Sequence, residues 1–68
     1  MKFNRAYLNF LIEDRGMTIE ELYKKIGISG AAWYRRMKDE NHFTYKDIKK
    51  IIEVLSLTSE EKEIVFFK

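Results

Sequence analysis

Three residues, Gly27-Ile28-Ser29, separate two stretches of helical periodicity, and so short a connection makes the two helices cross steeply. Before the break, Leu22 and Ile26 stand four apart and give the first helix one apolar edge. Thr18 precedes that helix and Glu21 follows three residues later, the spacing of a capping box. Gly27 falls just past the last apolar residue, where a left-handed backbone ends a helix at little cost. Ser29 is a good N-cap for a second helix over residues 29–38. Trp33 and Met37, four apart, supply its inward edge, while Tyr34, Arg35, Arg36 and Lys38 bring polar and positive groups.

Such a pair is a helix-turn-helix, whose second helix can lie in the major groove of DNA. The rest of the chain suits an all-α fold. Proline is absent, there are 3 glycines, and apolar residues recur at three and four. Asn4 is placed to cap a first helix running to about Arg15, with Tyr7, Leu8, Leu11 and Ile12 inward, Phe3 packing near its start and Gly16 ending it. Asp39 to His42 reads as a polar loop. Thr44 and Asp47 open the clearest amphipathic helix, Ile48, Ile51, Ile52 and Leu55, with Phe43 and Ile48 at the spacing of a hydrophobic staple. Thr58 and Glu61 begin a last short helix toward Phe67, although Ile64 to Phe67 also suits a strand. The expectation is a single domain over residues 1–68, a compact bundle of five short helices. Its core should hold Leu8, Leu11, Leu22, Ile26, Ile28, Trp33, Met37, Ile48, Ile51, Ile52, Leu55 and Ile64.

Composition narrows the function. A chain of 68 residues buries only about 60% of its unfolded surface, so its core must be compact. Without cysteine, neither disulfides nor zinc-thiolate ligands are available, and a reducing cytoplasm is the default compartment. No apolar run approaches the roughly 20 residues of a membrane span, and charges interrupt any signal-peptide core. The net charge of +2 is unevenly spread. Residues 24–50 carry eight basic and three acidic side chains, against three and four before them and two and four after. That excess on the second helix and its successor is the footprint of a polyanion partner, although a solvated basic surface has the same composition. One histidine, His42 in the polar loop, no glycine-rich phosphate loop and no shielded carboxylate pair leave enzyme chemistry, metals and cofactors without support.

Two blocks of the chain resemble a known family. One is Leu22, Gly27-Ile28-Ser29 and Trp33-Tyr34-Arg35-Arg36-Met37; the other is Phe43-Thr44, Asp47-Ile48, Ile51, Leu55-Ser56-Leu57-Thr58, Glu61 and Ile64-Val65-Phe66-Phe67. Their order is similar to the lambda-repressor-like helix-turn-helix domains, and more narrowly to small Cro-like regulators of phages and prophages of Gram-positive bacteria. The chain departs from the broad family at Tyr23, where relatives usually carry alanine because the motif helices approach closely. A tyrosine there must tilt the helices or point sideways. Arg36 stands where many relatives are apolar, with Met37 packing one position later.

The resemblance implies that Gly30, Ala31, Tyr34, Arg35 and Lys38 face double-stranded DNA. Ser29 and the helix N-terminus suit a phosphate. Gly30 and Ala31 offer only methyl contact or close backbone approach, which shifts base reading to Arg35, able to bridge guanine O6 and N7, and to Tyr34. Lys38 and Arg36 suit phosphates, as do Thr18 and Lys46 from the flanking helices. The plainer alternatives are surface ion pairs of Arg35 and Arg36 with acids such as Asp39 and Glu40, and a merely solvated Tyr34. Phe66 and Phe67 divide between core and a dimer contact. The implied function is a DNA-binding regulator that occludes an operator as a homodimer, formed before or only on DNA. The competing readings are a protein-binding antirepressor or inhibitor that holds a partner repressor, and an architectural DNA binder without sequence choice.

Overall fold

The computed structural model describes residues 4–38 and 43–67. Phe3, the loop residues 39–42 with His42, and the acids Asp39 and Glu40 lie outside the described residues. The helices are α1 (Arg5–Asp14), α2 (Ile19–Ile26), α3 (Gly30–Met37), α4 (Tyr45–Leu55) and α5 (Ser59–Lys62), and a π-helical turn, Glu63–Phe67, continues α5. No strand occurs among the described residues. The fold is all-α, five helices around one core.

Local chemistry sets each boundary. Thr18, Thr44 and Thr58 each accept from the backbone N–H three residues on, and Glu21, Asp47 and Glu61 reach back to complete three capping boxes. Asn4 caps α1 and Ser29 caps α3 through the N–H groups of Tyr7 and Ala32. Gly27 ends α2 at φ 83°, the left-handed region that glycine enters freely. Ser56 ends α4 at φ 52° without that freedom.

The carboxyl ends of three helices are closed from a distance. The Arg5 guanidinium donates to the Met37 carbonyl of α3 at 3.1 Å, the Arg15 Nε to the Leu55 carbonyl of α4 at 3.0 Å, and the Lys50 Nζ to the Ile26 carbonyl of α2 at 3.4 Å. Each cation satisfies an orphan carbonyl and opposes the negative end of a helix dipole. Arg15 also pairs with Glu61 at 2.7 Å and with Asp14 at 3.1 Å. The hydrogen bond to Glu61, more than any other contact, raises its pKa still further. The Asn4 N–H donates to the Val65 carbonyl at 2.9 Å and so ties the start of α1 to the π turn.

The core comprises Leu8, Leu11, Ile12, Leu22, Ile26, Trp33, Met37, Phe43, Ile51, Leu55, Val65 and Phe66. The expectation for Ile28, Ile48, Ile52 and Ile64 is corrected: all four are only partly buried. The apolar stripe of α4 is wider than the face the bundle covers, so Ile51 and Leu55 fill its centre while Ile48 and Ile52 sit on its edge. Phe43 turns to Trp33, edge to face with centroids 5.2 Å apart. At the C-terminal end a π-helical turn replaces the expected regular helix or strand, with Val65 and Phe66 inward and Phe67 outward.

Candidate nucleic-acid interface

The second motif helix is positioned from beneath. Trp33 is fully buried and Met37 nearly so, which seats one face of α3 on the core. At 3.6 residues per turn, Tyr34, Lys38, Ala31 and Arg35 then share one strip, roughly 100° wide, on the opposite face. All four are exposed, Tyr34 at 54%. The strip carries two cations, a phenol and one methyl group. Its shape and charge suit a groove walled by phosphates.

Two expected members are absent from that strip. Arg36 points to the flank, where its guanidinium donates to Asp47 Oδ2 at 2.7 Å. Asp47 is nearly buried and also accepts from the Thr44 N–H, so the pair fastens α3 to the start of α4. Gly30 lies half-buried against Tyr23. A Cβ at Gly30 would stand 3.0 Å from the Tyr23 hydroxyl and 3.2 Å from Cζ. The large residue at the helix crossing is thus accommodated by the absent side chain of Gly30. Ala32 is likewise buried. Of the Gly30-Ala31-Ala32 run, packing accounts for two residues, and Ala31 alone faces outward.

The helix N-termini differ in what already occupies them. At α2 the Thr18 hydroxyl accepts from the Glu21 N–H at 3.1 Å and stands 3.2 Å from Glu21 Oε1, which also takes the Thr18 N–H at 2.8 Å. The backbone N–H of Thr18, then its hydroxyl, hold the Glu21 carboxyl below its usual range. A carboxylate of the chain itself therefore takes the Thr18 N–H and adjoins its hydroxyl. The first turn of α3 holds no acid. Ser29 is exposed there, its oxygen accepting from the Ala32 N–H at 3.1 Å. Lys46 is exposed in the first turn of α4, where a cation gains nothing from the helix dipole.

Sequence reasoning missed the partners that aim the helix: Tyr23 over Gly30, Asp47 against Arg36, and Arg5 on the Met37 carbonyl. The one available signal was size complementarity, a tyrosine and a glycine at adjoining positions of a tight crossing.

Two short helices joined by a left-handed glycine, the second seated on a tryptophan and exposing a basic strip, define a helix-turn-helix protein. A family model of the Cro/C1-type HTH DNA-binding domain matches residues 8–61. The chain belongs to that family. No curated protein and no solved structure matches it. None of the helices among the described residues is long and apolar enough to cross a membrane.

Proposed function

We propose that this chain is a sequence-specific transcriptional regulator of the phage Cro/repressor type, which places α3 in the major groove of operator DNA and represses by occlusion. One observation carries the proposal: the exposed strip Ala31, Tyr34, Arg35 and Lys38 is held outward by Trp33 and Met37. In this reading Arg35 reads a guanine, Tyr34 and the Ala31 methyl contact base edges, and Lys38, Ser29 and Lys46 hold phosphates. Arg36 and Gly30 position the helix, and Thr18 contributes through its cap. One such helix spans too few base pairs for a unique site, so binding is as a homodimer on half-sites about 34 Å apart.

Selection of bound sequences from a random duplex pool tests the reading. A two-fold symmetric site, bound with a steep loss of affinity on adding salt, is the expected result. On the selected site Arg35→Ala costs about 1–3 kcal/mol and relaxes one position, with a smaller loss on random DNA. No enriched sequence and no duplex binding at low salt would favour the protein-binding antirepressor. That reading has lost most of its motive, because Gly30 and Ala32 are explained by packing.

A further inference from the structure

We propose that the Tyr23 hydroxyl, reaching from α2 across Gly30, donates a hydrogen bond to a DNA phosphate at the margin of the α3 strip. The inference rests on the DNA-binding reading and adds to it a contact from the first motif helix. Tyr23 is half-buried and packs against the core, while its hydroxyl lies over the first residue of α3. A Cβ at Gly30 would stand 3.0 Å from that oxygen, so the missing side chain is what gives the hydroxyl its place.

The hydroxyl has no use within the fold. A phenol carries one O–H donor. That of Tyr23 bonds to none of the described residues. It is not shut away either: the Trp33 indole nitrogen is the one buried side-chain polar atom without a partner among the described residues. Thr18, the hydroxyl at the start of α2, is by contrast engaged by Glu21 within its cap. A ring held by packing with its polar tip open loses little freedom when that tip binds.

Direction selects a phosphate over a base. At 100° per residue, Gly30 lies about 40° around α3 from Tyr34 and about 90° from the middle of the outward strip, at its border with the buried Met37. With the middle of the strip toward the floor of the groove, that border faces a wall, and the walls are phosphate. The first turn of α3 holds no acid to repel an anion there. A hydroxyl so placed fixes the register of α3 on the backbone and carries no sequence preference.

The test compares Tyr23→Phe with the wild-type chain on the selected duplex and on random duplex, over a range of salt. Phenylalanine keeps the ring, so the urea midpoint should not move. The expected result is a loss of affinity of about fivefold to tenfold on both duplexes. The slope of log affinity against log salt should stay the same, because a neutral hydroxyl displaces no counterion. Replacing single phosphates of the selected duplex in turn by uncharged methylphosphonate should find one beside the start of α3 at which the loss from Tyr23→Phe shrinks to about twofold or less. Equal affinities of the two proteins, or a loss that no single phosphate replacement reduces, overturn the proposal and leave the DNA reading standing. A loss confined to the selected sequence puts the hydroxyl on a base edge, and a lowered urea midpoint makes it part of the fold; either overturns the phosphate contact. A wild-type chain that binds no duplex at low salt sinks the DNA reading and this contact with it.

Discussion

Gly30→Ala should destabilise this protein, although the same change at a helix start is ordinarily favourable. Replacing a helical glycine by alanine gains about 0.5–1 kcal/mol from the reduced freedom of the unfolded chain. Here the added methyl would sit 3.0 Å from the Tyr23 hydroxyl and 3.2 Å from Cζ, closer than carbon atoms rest in ordinary contact. Forcing a methyl into such packing costs about 1–3 kcal/mol. The net expectation is a loss of about 1 kcal/mol, or roughly 4–8 °C in Tm for a domain of this size. In a Tyr23→Ala background the obstruction is gone, and Gly30→Ala should stabilise by about 0.5–1 kcal/mol. The two changes are therefore coupled by about 1.5–2 kcal/mol, measurable as a double-mutant cycle in urea titrations. If Gly30→Ala has the same sign and size in both backgrounds, Tyr23 does not rest on Gly30 and the crossing of α2 and α3 is set by something else. Because the crossing aims α3, Gly30→Ala should also weaken binding to the selected duplex while all four outward residues remain in place.

Three further outcomes are expected. Ser56→Gly should raise stability by about 1 kcal/mol in urea, because Ser56 holds a left-handed backbone at φ 52°; no change or a loss would mean that its hydroxyl contributes more than the strain costs. Arg36→Ala should cost about 2 kcal/mol in urea, less than for a fully buried pair because Arg36 retains 24% exposure; a loss no larger than about 0.5 kcal/mol, that of a surface pair, would mean that the bond to Asp47 does not fasten α3 to α4. Stability should fall with acid. The Thr58 and Thr18 backbone N–H groups, joined at Glu61 by Arg15, hold the Glu61 and Glu21 carboxyls below their ordinary 4.5, so their contribution is complete above that value and disappears as pH drops through the lowered pKa values. Urea midpoints between about pH 6 and about pH 3 should show it, and Glu61→Gln should flatten the slope; an unchanged slope would contradict the assignment.

How much was legible in the sequence depended on how local the cause was. The three threonine caps, the Ser29 cap and the Gly27 stop depend on neighbours within three or four residues, and all stand where their spacing puts them. Leu22 with Ile26, and Trp33 with Met37, were readable from i, i+4 spacing alone. The failures were tertiary. Ile48 and Ile52 share the periodicity of Ile51, and only the assembled bundle decides which part of a wide stripe is covered. Arg36 reads as one more exposed cation until Asp47, eleven residues away, is brought beside it. The Arg5 bond to α3 spans 32 residues and leaves no trace in local pattern. Gly30 reads as an invitation to DNA backbone when taken alone; against Tyr23 it is a packing residue.

The outward strip of α3 is most directly tested by following the backbone amide resonances of the uniformly labelled protein while the selected duplex is added. Shifts concentrated at Ser29, Ala31, Tyr34, Arg35 and Lys38, with Trp33 and Met37 moving only slightly, are the predicted result. Shifts that spare those residues and gather elsewhere on the surface, with α3 unperturbed at saturation, would contradict it.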